Sequence, residues 1–507
     1  MTKLTLFSLL AASLCSAAPE FSPIFQSGML LQREAPIPVW GSAKAGEAIK
    51  LTWRGKSVST TANAEGEWKI ELPACKATAK GSTLIASDAD GETKLDDIII
   101  GDLWLASGQS NMQRPMSLFK DTKPMSKDFK NDQIRILQID TLLATDGRSY
   151  TLEHYNDVKA KGGVQMTWKA FNPQNTLGFS AVASTFAHYL QEDSGVPIGI
   201  IGNAVGGSGV EAWMPQSLID SKERYHRLKG GDWLDAPSFS AWVRGRAKHN
   251  LKTVIASGTV PVEELEHPFK PAYLFERATA PLTPLPIKGV IWYQGESNAE
   301  DPDMERNAAM IQDMIAAWRK AFQNDKLPFF TVQLPRIKDS TPLRAPWAHF
   351  REAQDQVAQQ DPYTDIVCTL ELGEANSDVH PSPKAPVGRR LANVVLNKCY
   401  GKKLPTSPRI VAMKWTKDGA ILKASQALRT EGAPTGFKLT IAGNEVPATI
   451  KPSVKGNIIK LNIKSDTPIA ELKEKATLNY NFEVYCEPNV VGKEGELPLF
   501  PWRSQKD

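Results

Sequence analysis

The sequence predicts an α/β protein: a doubly wound, mostly parallel sheet with accessory β-sandwich regions at both ends. Three observations predict it. Between residues 99 and 404, short apolar runs alternate with amphipathic stretches of helical period. Residues 19–98 hold only short alternating runs, parted by turn clusters such as Ala45-Gly46-Glu47 and Asn63-Ala64-Glu65-Gly66. From 405 to 507 an all-β pattern returns, punctuated by Gly and Pro.

Taken in order, residues 1–18 read as a secretory signal, which predicts export to the periplasm or outside the cell. Lys3 precedes an apolar run from Leu4 to Cys15 that is too short to span a membrane, and Ser16-Ala17-Ala18 offers a small-residue cleavage site. The first β region places strands at 29–31, 37–40, 49–53 and 68–72. The α/β region begins with the strand Leu103-Trp104-Leu105-Ala106. Later strands are expected at 196–201, 287–293, 329–334 and 365–370. Helices are expected at 180–191, 304–322, 347–360 and 386–399, where Val182, Phe186 and Leu190, or Ile311, Met314, Ile315 and Trp318, share one face. Residues 214–280 interrupt this order without clean periodicity and read either as a cover over a cleft or as a surface excursion. The C-terminal strands are expected at 410–415, 420–423, 437–441, 458–463 and 476–480.

The chain has 507 residues, 41% hydrophobic and 23% charged, with a net charge of +4. So small a charge, with no basic run, argues against nucleic acid or anionic membrane as partners. No segment after the signal is long and apolar enough for a membrane span. Past the signal the cysteines are Cys75, Cys368, Cys399 and Cys486, without a Cys-x-x-Cys pair. That pattern is neither a disulfide scaffold nor a zinc site, although one disulfide stays open in an exported protein. No metal or organic cofactor is expected.

Chemistry concentrates at strand ends, where doubly wound sheets bind ligands. The first strand runs into Gly108-Gln109-Ser110-Asn111-Met112, which reads either as a Ser/Asn turn or as a turn presenting a serine nucleophile. A serine needs a base, and the base needs an orienting group. Of seven histidines, His188 sits within a helical pattern and most others in irregular stretches. His380 follows the strand ending near Leu372, in Asp378-Val379-His380-Pro381, where Asp378 can hold the same imidazole. Ile200-Ile201 enters the glycine-rich 202–209, either a flexible turn or a source of backbone N–H donors; it lacks the Lys-Ser/Thr ending of a phosphate loop. Val290 to Tyr293 enters Gln294-Gly295-Glu296-Ser297-Asn298, whose amides can donate to an oxyanion. Glu296 alternatively suits a glycosidase acid, but no partner carboxylate stands out.

These four blocks resemble the sialate O-acetylesterases of the SGNH (GDSL-like) hydrolase superfamily. The resemblance is carried by Gly101 to Met112, by Gly206-Gly207-Ser208 with Glu211-Ala212-Trp213, by Lys288 to Asn298, and by Asp378 to Pro381 with Gly388 to Ala392. Met29 to Arg33, Pro38 to Gly41 and Leu497 to Trp502 also fit. It implies a flavodoxin-like sheet and a serine esterase with Ser110 as nucleophile, His380 as base and Asp378 as its orienter. Gly207 and the Ser110 N–H then look like oxyanion donors, with Gln294 the first choice of amide donor and Asn298 the second. Arg114 and Glu296 become candidates for binding substrate, a basic residue near Ser110 favouring the carboxylate of a sialic acid. The implied substrate is an O-acetylated sialic acid. Acetylated xylan or another polysaccharide remains an alternative, as does a glycan-binding protein on an inactive scaffold.

Overall fold

The computed structural model describes residues 18–228, 231–237 and 239–504; all of the expected signal except Ala18 lies outside them. The organising element is strand β1 (Glu92–Gly108), buried without a break from Ile98 onward. Its residues Ile98-Ile99-Ile100 and Leu103-Trp104-Leu105-Ala106 are apolar on both faces, as a strand covered from both sides requires. The N-terminal half of β1 pairs antiparallel with Thr78–Ser87, which carries Ala48–Trp53 and Lys56–Thr61 beyond it. A separate three-stranded sheet joins Glu20–Phe21, Ile37–Ser42 and Glu67–Leu72. The expected boundary at 98 falls inside β1, and the apolar residues on both sides of it belong to one continuous core.

After β1 come the short helix α1 (Ser110–Gln113), β2 (Ile134–Thr141), β3 (Val164–Ala170), α2 (Ala181–Ser194) and β4 (Ile198–Ala204). Then follow α3 (Ala241–Ser257), β5 (Gly289–Tyr293), α4 (Met304–Ala321), β6 (Phe329–Val332), α5 (Trp347–Gln360), β7 (Thr364–Val367) and α6 (Ala385–Tyr400). The central strands lie in the order β3-β2-β4-β1-β5-β6-β7. All neighbours are parallel except β3, which closes on β2 as an antiparallel edge. Leaving out the β2–β3 edge, the strands run second, first, third, fourth and fifth in chain order. Register then decides where the loops go. Ala204 and Tyr293 both stand level with Gly108, so the loops leaving β4, β1 and β5 emerge side by side.

The expected strands and helices appear with their ends shifted by a few residues. Ser180 caps α2 by accepting the Ala183 N–H at 3.0 Å, and Gly195 ends the helix at φ 69°. Several elements have no counterpart in the sequence reading, among them Lys56–Thr61, Thr78–Ser87, β2, β3 and α3. β2 and β3 fall between the strand expected at 103–106 and the helix expected at 180–191. α3 lies inside the 214–280 interruption: its inward face carries Asn250 among Val243, Ala247, Leu251 and Val254, which blurs the apolar period. Asn250 is buried because its amide donates to the Asp146 carbonyl at 2.9 Å and its Oδ1 meets His267 Nε2 at 3.2 Å.

The C-terminal residues form two four-stranded antiparallel sheets and a two-stranded one around a core of their own, with Leu422, Leu439, Leu461 and Leu478 buried. They are tied to α5 through Arg409 with Asp355, Arg503 with Glu352, and the buried Arg351 donating to the Glu483 carbonyl. Cys75, Cys368, Cys399 and Cys486 are all free, so the disulfide left open by composition is not formed. No helix among the described residues is long and apolar enough to cross a membrane.

If β1 is the core strand, Leu105→Ala costs about 2–5 kcal/mol, the usual loss for a buried leucine. Urea unfolding measures it; a loss below about 1 kcal/mol would contradict this packing.

Candidate active site

The site begins with a glycine. Gly108 closes β1 at φ 134°, and a Cβ there would overlap the Tyr293 carbonyl oxygen of β5. The turn is held by the Gln109 N–H donating to that same oxygen at 2.9 Å. It delivers Ser110 to the start of α1, partly exposed.

The loop after β7 brings His380 back over this turn. His380 Nε2 lies 2.8 Å from Ser110 Oγ, and Nδ1 lies 3.0 Å from Asp378 Oδ1. The same Asp378 oxygen accepts the His380 backbone N–H at 2.9 Å, fixing the two-residue spacing. An ionised carboxylate only accepts, so the proton sits on Nδ1 and Nε2 is free to accept from the serine hydroxyl. Burial pushes the His380 pKa down to about 4, and the Arg114 and Lys384 cations push it the same way; Asp378 opposes them. At neutral pH the imidazole is therefore in its base form.

Beneath this pair lies a buried polar node centred on Asn111. Its amide donates to Glu296 and, at 2.8 Å, to the Val379 carbonyl; its Oδ1 accepts from Lys384 Nζ at 2.5 Å. Lys384 is fully buried against the Phe119 and Tyr293 rings. Burial draws its pKa down to about 7, opposed by Glu296 and Asp121. Asp121 accepts both the Lys384 and Ala385 N–H at 2.8 Å, anchoring the start of α6. Burial raises the Glu296 pKa, and its second oxygen has no partner among the described residues. Glu296, expected at the substrate, instead faces this node.

The glycine-rich loop packs beside Ser110. The Gly206 N–H donates to Gln113 Oε1 at 2.8 Å, and a Cβ on Gly206 would stand 3.4 Å from Ser110 Cβ. Among the described residues, the Ser110 and Gly207 N–H groups have no acceptor. The two side-chain amides are differently engaged. Gln294 Nε2 donates to Asn298 Oδ1 at 2.6 Å and to the Ser208 carbonyl at 3.3 Å. Asn298 Nδ2 donates to both Glu211 oxygens at 3.2 Å, while its Oδ1 accepts the Val210 N–H. Both amide donors are thus committed to a buried network around Glu211, whose pKa burial raises. Arg114 is half-buried and has no carboxylate partner among the described residues.

A family model described as "Carbohydrate esterase, sialic acid-specific acetylesterase" matches residues 100–229 and 255–397, more than half of the chain. The chain belongs to that family. The rat sialate O-acetylesterase is 24% identical over 419 residues, covering 76% of this chain and 74% of the rat protein. The human sialate O-acetylesterase is 25% identical over 415 residues, covering 76% and 71%. A crystal structure of a carbohydrate acetylesterase from Xanthomonas citri is 28% identical. It superposes with a TM-score of 0.75 over 96% of this chain and 99% of its own.

Ser110, Asp378, His380 and Gly207 thus converge, with Arg114 close enough to act on the His380 charge. Sequence reasoning missed Asn111 as a hub, although it lies inside the quoted block, and missed Lys384 altogether. A lone lysine in a proline-rich loop carries no pattern that announces burial.

Titration of the His380 ring, followed by NMR, is expected near pH 4 rather than the usual 6.5. Arg114→Gln removes a cation that disfavours the charged imidazole, so it should move that midpoint upward; a downward shift would contradict the geometry. Asn111→Leu strands the Lys384 ammonium and one Glu296 oxygen, and should cost about 3 kcal/mol in urea unfolding.

Proposed function

We propose that this chain is an exported carbohydrate esterase that removes O-acetyl groups from sialic acids through an acetyl-serine intermediate. The observation that carries the reading is the line from Ser110 Oγ through His380 to Asp378, at 2.8 and 3.0 Å, within a chain of this family. The order of the central strands fits a doubly wound, flavodoxin-like SGNH sheet, with the site at the point where that order reverses. On this reading residues 1–18 direct export, 19–98 and 405–507 are accessory β regions, and 99–404 carry the chemistry.

Ser110 Oγ attacks the acetyl carbonyl carbon as His380 Nε2 takes its proton. The developing oxyanion accepts from the Ser110 and Gly207 N–H groups. Gln294 and Asn298 would join only by giving up their present acceptors, so we assign them to holding the glycine loop. The carbon–oxygen bond to the sugar breaks, and His380 returns the proton to the sugar oxygen. Water then attacks acetyl-Ser110, giving its proton to His380. Acetate leaves, and the proton passes back to Ser110 Oγ. Asp378 keeps the ring in the required tautomer throughout. Arg114, a cation beside His380 without a carboxylate of its own, suits the carboxylate of a sialic acid.

One observation favours a second reading. The Xanthomonas citri structure, similar along nearly the whole chain, is described as a carbohydrate acetylesterase without mention of sialic acid. A neutral acetylated polysaccharide such as acetylated xylan would then be the substrate.

Acetate release from O-acetylated sialic acid and from acetylated xylan separates the two. Ser110→Ala should abolish release, by about 10⁴-fold or more, while melting at the wild-type temperature. Asp378→Asn should lose less than His380→Ala. Full turnover by Ser110→Ala would overturn the assignment, and preference for xylan would shift the substrate.

A further inference from the structure

The helix α3 presents one large exposed aromatic, Trp242, which is 48% exposed. It stands against the catalytic loop rather than on a remote surface. A Cβ on Gly207 would collide with the Trp242 ring and with Phe269, and Gly207 adopts φ 82°. The neighbouring Gly206 packs against Ser110 Cβ. Consecutive Cα atoms are about 3.8 Å apart. The ring and the serine thus pack against two adjacent glycines of one loop.

The ring is also held in place. Ser240 caps α3 by accepting the Val243 N–H at 3.4 Å, and its hydroxyl donates to Glu300, on the loop that follows Asn298. Arg344 Nη1 grips the same carboxylate at 3.3 Å. The Arg246 guanidinium lies 5.6 Å from the Trp242 ring centroid, and Phe269 lies 6.0 Å away at 43°. An exposed tryptophan packed on Gly207, Phe269 and Arg246, at the start of a helix whose capping serine is bonded to Glu300, is a positioned surface rather than a stray apolar residue.

We propose that Trp242 is a stacking platform for the pyranose ring that carries, or adjoins, the acetylated position, and so a specificity-determining residue. The axial C–H groups of a pyranose are weakly positive, and the indole face is negative. A sugar with its acetyl carbonyl at Ser110 projects across the glycine pair toward this ring. The inference rests on the esterase reading of the same site. Trp242 lies between the two stretches that the family model matches.

The test compares Trp242→Ala and Trp242→Phe with wild type on O-acetylated N-acetylneuraminic acid, acetylated xylotetraose and 4-nitrophenyl acetate. The expected result for Trp242→Ala is a rise in KM of about tenfold on the preferred sugar, with kcat within about twofold. The aryl acetate, which has no sugar ring, should keep its kcat/KM within about twofold, and Trp242→Phe should recover most of the sugar KM. Equal losses on the sugar and the aryl ester, or an unchanged sugar KM, would overturn the platform. Calorimetric binding of the deacetylated sugars to wild type and Trp242→Ala needs no turnover. If wild type releases no acetate from any sugar, the esterase reading fails. The platform then stands or falls on whether Trp242→Ala weakens this binding about tenfold.

Discussion

The arrangement depends on one side chain, Asn111. A carboxamide offers two donors and an acceptor, and Asn111 directs them to three separate parts of the chain: the loop after β5 at Glu296, the histidine loop at Val379, and the start of α6 at Lys384. Ser110 is its covalent neighbour, so whatever fixes Asn111 fixes the serine. The bond to the Val379 carbonyl lies one residue from His380. That matters because Asp378, on the same loop, has a side chain 57% exposed and cannot anchor the loop by burial. The 2.8 Å approach of His380 to Ser110 is then a consequence of a buried polar node beneath it rather than of the triad alone. Burial strengthens each of these bonds and so stiffens the node, although the second Glu296 oxygen has no partner among the described residues.

Electrostatics and positioning work together here. Arg114 and Lys384 both disfavour protonation of His380, and Asp378 favours it. With burial on the side of the cations, the imidazole stays neutral at rest while keeping a carboxylate ready to stabilise the ion when a proton arrives. Lys384 is itself restrained, its charge opposed by burial and supported by Glu296 and Asp121. The same two cations favour negative charge near Ser110, whether on an oxyanion or on a substrate carboxylate.

Much of this was legible in the sequence because strand ends are legible. An apolar run ending in Gly108-Gln109-Ser110, and a strand followed by Asp378-Val379-His380, are local patterns, and parallel register brings the ends of such strands together. What could not be read was burial created by tertiary contact. Lys384 looks like a surface lysine until α6 and the Asn111 turn close over it. Gln294 and Asn298 look like free amides at a strand end, yet the buried Glu211 engages them through Asn298. The helix Ala241–Ser257 stayed hidden because Asn250, not an apolar residue, occupies its inward face.

A division of labour follows from where these residues sit. Ser110, Gly207 and the loop after β5 hang from strands whose register is set by continuous backbone pairing, with Ala204, Gly108 and Tyr293 level across the sheet. Shifting any of them by one residue would turn core side chains outward along a whole strand. Trp242 and Arg246 stand on a helix that packs Val243, Ala247, Leu251 and Val254 into the core but takes no part in the strand pairing. Its exposed face, where Trp242 stands, can be altered without disturbing a strand. On physical grounds alone, then, the acyl-transfer geometry should be the resistant part of the molecule and the sugar-facing surface the adjustable part.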